Sequence, residues 1–215
     1  MNPLTKMALG LIGQLRPEAP TGDGSPALLL PPPDRAGGVP LMQALAQRQS
    51  ARTFAPAALP LQTLSDLLWA AAGINRADHA GRTSPSALNA QEVDVYVALP
   101  EGLYRYEPVA HTLQRVVAAD VRRVTGYQDF VDTAPLDLVY VADHARMKLV
   151  PAAQRESYAS AAAGAMAQNV YLYCASAGLS TVIRAWIDRQ ALAQAMSLGT
   201  DQQILLSQTV GASAP

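Results

Sequence analysis

The stretch A-A-A-G-A-M-A-Q-N-V-Y-L-Y-C-A-S-A-G, residues 161 to 178, constrains the fold more than any other part of the chain. The helix expected here, from about Gln154 to Ala177, stops at Gly178, the residue type best suited to the left-handed turn that closes many helices. Ala161, Ala162, Ala163, Gly164, Ala165 and Ala167 give it a surface of very small side chains, and Val170, Leu172 and Cys174 carry the apolar character round the cylinder. A helix that is apolar on nearly every side must be covered on nearly every side. In a chain of 215 residues two arrangements achieve this. Either a second subunit packs on the helix, or the helix is central to a monomer.

Charge is sparse. Half of the residues are apolar, 15% are charged, and the formal net charge is -1. Such a balance excludes a general nucleic-acid binder, which shows a basic stripe or a high isoelectric point. It suits a subunit partly covered by a partner, because interface cores are depleted of charge. Cys174 is the single cysteine, so the chain holds no internal disulfide and no thiolate metal site. His79, His111 and His144 lack metal-ligand spacing, and no metal is expected. Lys6 followed by the apolar Met7 to Ile12 has the order of a signal peptide. The run is shorter than the ~7–15 residues of a real one, and no small-x-small cleavage site follows. A cytoplasmic location is the reading, with a trimmed or atypical exported form left open. No membrane span is expected, since even Tyr158 to Leu179 carries Gln168 and Asn169. From Arg16 to Gly38 the chain is rich in Pro and Gly, including the triplet Pro31-Pro32-Pro33. Residues 1–38 therefore read as an extended arm lying on the body or a partner, and 39–215 as the folded domain.

Past Pro40 the hydrophobic period becomes regular. Leu41 to Gln47 reads as a short helix, and Pro60 to Ile74 as a second with Leu61, Leu64, Leu67, Leu68 and Ala71 at helical spacing. Val93 to Leu99 alternates and is a strand; Leu103 to Tyr106 and Thr112 to Val116 suggest a hairpin. Leu136 to Val141, apolar almost throughout, suits a central strand covered on both faces. Asp188 can cap a helix from Arg189 to Met196, and a last strand falls near Ile204 to Val210. The class is α+β, with helices packed on a mixed sheet.

Two short stretches carry candidate chemistry. In Q-R-Q-S-A-R-T-F, residues 47 to 54, a helix gives way to an extended segment. Residues i, i+2 and i+4 then point one way, so Arg48, Ser50 and Arg52 converge. Two guanidinium forks and a hydroxyl suit a phosphate. The alternative is a solvated surface whose arginines pair with carboxylates. In R-T-S-P-S-A-L-N-A-Q, residues 82 to 91, Pro85 and Ser86 make a turn, while Asn89 and Gln91 offer amides of the kind that read a heteroaromatic edge. An ordinary capped loop is equally compatible with these residues.

The order of the pieces resembles a known family. A short helix runs into R-x-S-x-R-x-F; then come L-S-D-L-L-W-A-A-A-G-I-N-R, P-S-A-L-N-A-Q before a strand, the alanine-rich helix, and I-L-L-S-Q-T-V-G at the end. From about residue 40 onward this is similar to the nitroreductase-like flavoproteins, most closely the branch of thiazole- and oxazole-forming dehydrogenases. The resemblance implies an α+β sandwich with a mainly antiparallel sheet, a homodimer formed through the long helices, and FMN at the subunit interface. It implies that Arg48, Ser50 and Arg52 grip the phosphate and ribityl chain. It also implies that Pro85, Ser86, Ala87 and Asn89, with Gln91 as a further neighbour, line the ring from the other subunit. Val182-Ile183-Arg184-Ala185 matches the segment whose backbone N–H groups face the flavin near N5. There the Arg184 side chain could hold negative charge near N1 or face solvent.

The implied activity is reduction of nitroaromatic, quinone or related acceptors by NADH or NADPH, in ping-pong fashion, with no side chain nominated as a general base. Tyr158, Tyr171 and Tyr173 read as packing residues with bonded hydroxyls. Cys174 reads as inert, and Trp69 and Trp186 as core or pocket wall, with Trp186 beside the substrate face. His79 is the one histidine near the flavin-lining loop. Relatives often end with a basic residue on the phosphate, whereas nothing basic follows Arg189 here. Two rivals remain: an azoline-type dehydrogenase acting on a peptide, and a non-catalytic flavin-binding relative.

Overall fold

A computed structural model describes residues 26–214. The readings made for residues 1–25 lie outside it. Among the described residues four helices are formed: α1 (Leu41–Gln47), α2 (Leu61–Ala72), α3 (Ala152–Ala177) and α4 (Arg189–Ala195). The strands are β1 (Leu28–Leu29), β2 (Ile74–Arg76), β3 (Gly81–Arg82), β4 (Val93–Leu99), β5 (Gly102–Glu107), β6 (Thr112–Val117), β7 (Leu136–Asp143), β8 (Leu179–Arg184) and β9 (Gln202–Ala212). Seven of them form one sheet in the order β1-β6-β5-β4-β7-β9-β8, while β2 and β3 pair separately. The sheet expected to be mixed and mainly antiparallel is antiparallel in each of its pairings.

β7 shows why the sheet has helices on both faces. Its side chains alternate between two cores: Leu136, Leu138, Tyr140 and Ala142 face α2 and α3, and Val139 and Val141 face the other way, with Leu192 and Met196. β4 divides likewise, with Val93, Val95 and Val97 on the first side and Tyr96 and Ala98 on the second. A strand with both faces covered reads as a continuous apolar run, as this one does. Leu67 and Leu68 of α2 are fully buried, and each contributes about 1.5–3 kcal/mol by leaving water.

α3 is closed where expected. Gly178 is left-handed (φ 68°, ψ 28°) and its N–H donates to the Cys174 carbonyl. Asp188 caps α4 by accepting from the Ala191 N–H at 3.0 Å. α3 buries Ala159, Ala162, Ala163, Met166, Ala167, Val170, Tyr171 and Cys174, one stripe at helical spacing. Ala161, Gly164 and Gln168 stay exposed, and a Cβ added to Gly164 would meet nothing within 4 Å. The single chain therefore leaves one long face of α3 uncovered. This differs from the central helix of a self-sufficient monomer.

Part of the proline-rich stretch lies on the body. Leu28 and Leu29 pair with β6, the Pro31 carbonyl accepts from Ser65 at 2.5 Å, and Gln62 donates to the Pro32 carbonyl at 2.9 Å. Among the described residues no helix is long and apolar enough to cross a membrane, and no group of three or more His, Cys, Asp or Glu could hold a metal.

Candidate functional site

The segment after α1 runs along the free edge of the sheet. The Ala51 N–H donates to the Thr181 carbonyl of β8 at 3.0 Å, Phe54 bridges to Ser213, and the Ala55 N–H donates to the Ala212 carbonyl at 2.9 Å. The segment is thus extended, as the alternation of Arg48, Ser50 and Arg52 requires. Gly211 permits this close approach, since a Cβ there would stand 2.8 Å from Pro135 and 3.3 Å from Phe54. Between the segment, the last turns of α3 and the start of β8 lies a cavity of about 310 Å³. Gln47, Gln49, Tyr171, Ser180, Thr181 and Ser213 are among its walls.

Arg48 and Arg52 have no carboxylate partner among the described residues. Arg48 lies over the Tyr171 ring, 5.3 Å from its centroid, and Arg52 is exposed. This departs from the alternative in which the arginines serve surface ion pairs. Ser50 shares a hydrogen bond of 2.7 Å with the Tyr171 hydroxyl, which also accepts from the Ile183 N–H at 3.0 Å. Tyr171 is a residue that sequence reasoning assigned to packing. Its position, one turn before Cys174 on a buried stripe, carries no signal of the contact to Ser50, 121 residues away.

Of the four residues carried over from the family, Val182 to Arg184 lie in β8 and Ala185 follows it, and their amides differ in availability. Thr181 and Ile183 turn their backbone groups outward, toward Ala51 and Tyr171. Strand alternation points those of Val182 and Arg184 at β9, and Ala185 is the first residue beyond the strand. Ala185 is exposed. The Arg184 side chain requires a correction: it neither faces solvent nor reaches the cavity. It is 6% exposed and donates to Asp137 at 2.6 Å, with its guanidinium 5.7 Å from the Phe130 ring centroid. Burial pushes the Asp137 carboxyl up to about 6 and the Arg184 guanidinium down, outweighing their mutual attraction in each. Such a pair is costly to break from one side. Here it ties β8 to β7 and to the 125–130 loop.

The other stretch lies elsewhere. Pro85, Ser86 and Ala87 line a cleft of about 180 Å³ with Tyr158, Ala161 and Ala162 near the start of α3. Along that helix the lining of this cleft ends at Ala162 and that of the cavity begins at Tyr171, about 14 Å further on. The arginine edge and this loop therefore open at different places on α3. Gln91 also requires a correction. It is 3% exposed, and its amide donates to the Ala80 carbonyl at 2.6 Å and to Asn89 at 3.2 Å, so it shapes the loop from inside. Its backbone N–H donates to Ser86 Oγ at 3.0 Å. Leu88, Asn89 and Gln91 all have left-handed φ, between 50° and 54°. Each costs about 1–3 kcal/mol unless its surroundings hold it, and such strain gathers at working loops.

What holds the loop lies beneath it. Arg146 donates to the Gln91 carbonyl at 2.8 Å and pairs with Asp94 and, at 3.2 Å, with Asp143. Glu92 is fully buried with neither carboxyl oxygen bonded, and burial raises its pKa. Elsewhere, His79 pairs with the exposed Asp78 at 2.8 Å. His111 is held by Tyr106 and Ser65, and His144 by Gln203. Trp186, read as core or wall, is 69% exposed and leans on Tyr127 with ring centroids 5.2 Å apart. Cys174 is buried and its thiol is pushed up, as an inert cysteine would be.

Comparison with known proteins gives this geometry a lineage. The crystal structure of a candidate nitroreductase from Ralstonia eutropha JMP134 is 55% identical and covers 94% of this chain and 96% of its own, with a TM-score of 0.85. A candidate nitroreductase of Methanocaldococcus jannaschii is 32% identical over 155 residues, 67% of this chain and 77% of that protein. At the level of fold alone, a Desulfovibrio desulfuricans candidate nitroreductase in complex with FMN is similar (23% identity, TM-score 0.60, 82% of this chain and 88% of that one). So is the Escherichia coli microcin synthetase McbBCD complex (18%, 0.71, 90% and 80%). The pattern of the Nitroreductase family matches residues 45–212, from the arginine edge through the last strand, and the chain belongs to that family.

Proposed function

We propose that the protein is an FMN-dependent oxidoreductase that takes reducing equivalents from NADH or NADPH and passes them to a planar acceptor such as a nitroaromatic or quinone. The observation that carries this reading is the pair of arginines with no carboxylate partner among the described residues, on the segment whose alternate residues Gln47, Gln49 and Ala51 line a cavity of about 310 Å³. Arginines placed so, in a chain with so few charges, are suited to an anionic ligand. The donor set fits a phosphate: two guanidinium groups and the Ser50 hydroxyl. The Ala185 amide could donate to the ring. FMN, when bound, supplies two-electron chemistry between a nicotinamide and an acceptor. This chain's residues would hold the phosphate at Arg48, Ser50 and Arg52, orient the ring along β8, and leave one face open for donor and acceptor in turn. That open face is the basis for ping-pong behaviour.

The site is complete only in a homodimer. A two-fold axis across the middle of α3 would bring the Pro85–Ala87 cleft of one chain to the arginine edge of its partner. The uncovered stripe of Ala161, Gly164 and Gln168 begins at that cleft and runs along α3 toward the arginine edge. Residues 39–215 form the flavin-binding domain in this reading, with 1–38 as an arm, and the protein works in the cytoplasm.

The test is an absorbance spectrum and FMN titration of the wild type and of the Arg48→Ala/Arg52→Ala double variant. Wild-type protein should show bound-flavin bands and oxidise NADH or NADPH with a quinone. Losing two charge-assisted contacts should weaken FMN binding by more than about 100-fold. Wild-type protein that binds no FMN at micromolar concentration would overturn the reading. Acceptance of an azoline peptide in place of quinones would replace the acceptor class alone.

A further inference from the structure

The hydroxyl of Tyr171 touches two groups, and elementary donor and acceptor chemistry fixes the direction of one bond and favours one direction for the other. The Ile183 amide can only donate, so at 3.0 Å it occupies a lone pair of the tyrosine oxygen. The tyrosine proton then has one neighbour to go to, Ser50 Oγ at 2.7 Å. A phenol is also the stronger acid of the two hydroxyls and the better donor. In the reverse arrangement, with Ser50 donating, Tyr171 would accept twice and its proton would have no acceptor among the described residues. Ser50 is exposed and makes no other hydrogen bond among the described residues, so its own proton remains free to point outward.

We infer that Tyr171 is a positioning residue that fixes Ser50 as a hydrogen-bond donor toward the phosphate of the bound flavin. The inference rests on the FMN reading above. The same side chain holds a second phosphate-directed group, because its ring lies 5.3 Å from the Arg48 guanidinium. Through Ile183 it also ties both to β8. One tyrosine thus couples the edge that holds an anion to the strand that runs beside the ring.

Riboflavin, which lacks the phosphate, separates this role from simple packing. Dissociation constants for FMN and riboflavin would be measured by flavin fluorescence for the wild type, Tyr171→Phe, Ser50→Ala and the double variant. Tyr171→Phe keeps the ring under Arg48. It should weaken FMN about five- to tenfold and riboflavin less than twofold, and the double variant should bind no worse than Ser50→Ala alone. Equal losses for the two ligands, or additive losses in the double variant, would overturn the inference. Fluorotyrosine placed at position 171 is nearly isosteric and a stronger donor, so it should widen the preference for FMN. An unchanged preference there would also overturn it, even if Tyr171→Phe folds poorly. A wild type that does not prefer FMN to riboflavin would bring down the phosphate reading itself, before any variant is compared.

Discussion

The arginine edge and the 82–91 loop use their polar groups in opposite ways. At the edge, Arg48 and Arg52 lack carboxylate partners among the described residues, and Ser50 shares its one hydrogen bond there with Tyr171. In the loop, Ser86, Asn89 and Gln91 bond to one another and to Ala80, and the backbone is held left-handed at three residues without glycine. One region keeps its chemistry for something outside the chain. The other consumes its chemistry to fix a shape, and what it presents is an apolar cleft of Pro85, Ser86 and Ala87 against α3. In the proposed homodimer the two belong to one site.

Separating the chains is the strongest way to break that comparison. Gly164→Trp adds bulk where a single chain has open space, so the fold of each subunit should survive. The dimer should not: sedimentation should show monomer at micromolar concentration, with FMN affinity down by about 100-fold or more. A monomeric wild type, or a Trp variant that stays dimeric with normal FMN binding, would detach the two regions from each other.

Gln91→Ala tests whether the loop is shape alone. It removes two buried hydrogen bonds and leaves the Ala80 carbonyl without that partner, at a cost of about 1–3 kcal/mol. For a chain of this size the melting temperature should fall by about 2–12 °C. Excess FMN should then be bound with affinity within about threefold of wild type. A tenfold loss of FMN affinity at unchanged melting temperature would put Gln91 against the ligand instead.

The smallest effect lies below the loop. Glu92 is buried without partners, so folding holds on to a proton that the unfolded chain releases near 4.5. Its contribution is therefore fully present below that value and is lost as pH rises toward the raised folded-state value. Glu92→Gln should flatten this slope and stabilise the protein by about 1 kcal/mol at pH 8, as read by denaturant melts. Asp137, pushed up to about 6, gives a slope of the same sign and remains in both proteins. An unchanged slope in the variant would mean that Glu92 is ionised in the folded state.

Much of this was legible in the chain. The bounds of α1, the cap at Asp188 and the stop at Gly178 are local events, written in adjacent residues. The R-x-S-x-R spacing is equally local, since a strand's period of two decides which way those side chains point. Contacts between distant residues left no such mark. Tyr171 looks like any tyrosine on an apolar helix until Ser50 is placed beside it. Arg184, read as near the flavin or solvent, is claimed by Asp137, 47 residues earlier. β8 itself, Leu-Ser-Thr-Val-Ile-Arg directly after the helix, mixes polar and apolar residues on both faces and was read as a segment instead of a strand.

The length of α3 has a consequence for heredity. It sets the two halves of the proposed site toward different ends of one helix, so each proposed dimer would carry two sites and each site would draw on both chains. An allele damaged at the arginine edge and another damaged at the loop are each defective in both sites of their own dimers. In a mixed dimer the lesions gather in one site and leave its twin whole. Two alleles that fail alone would thus restore activity together, and the pairs that do so would map to opposite ends of a single helix.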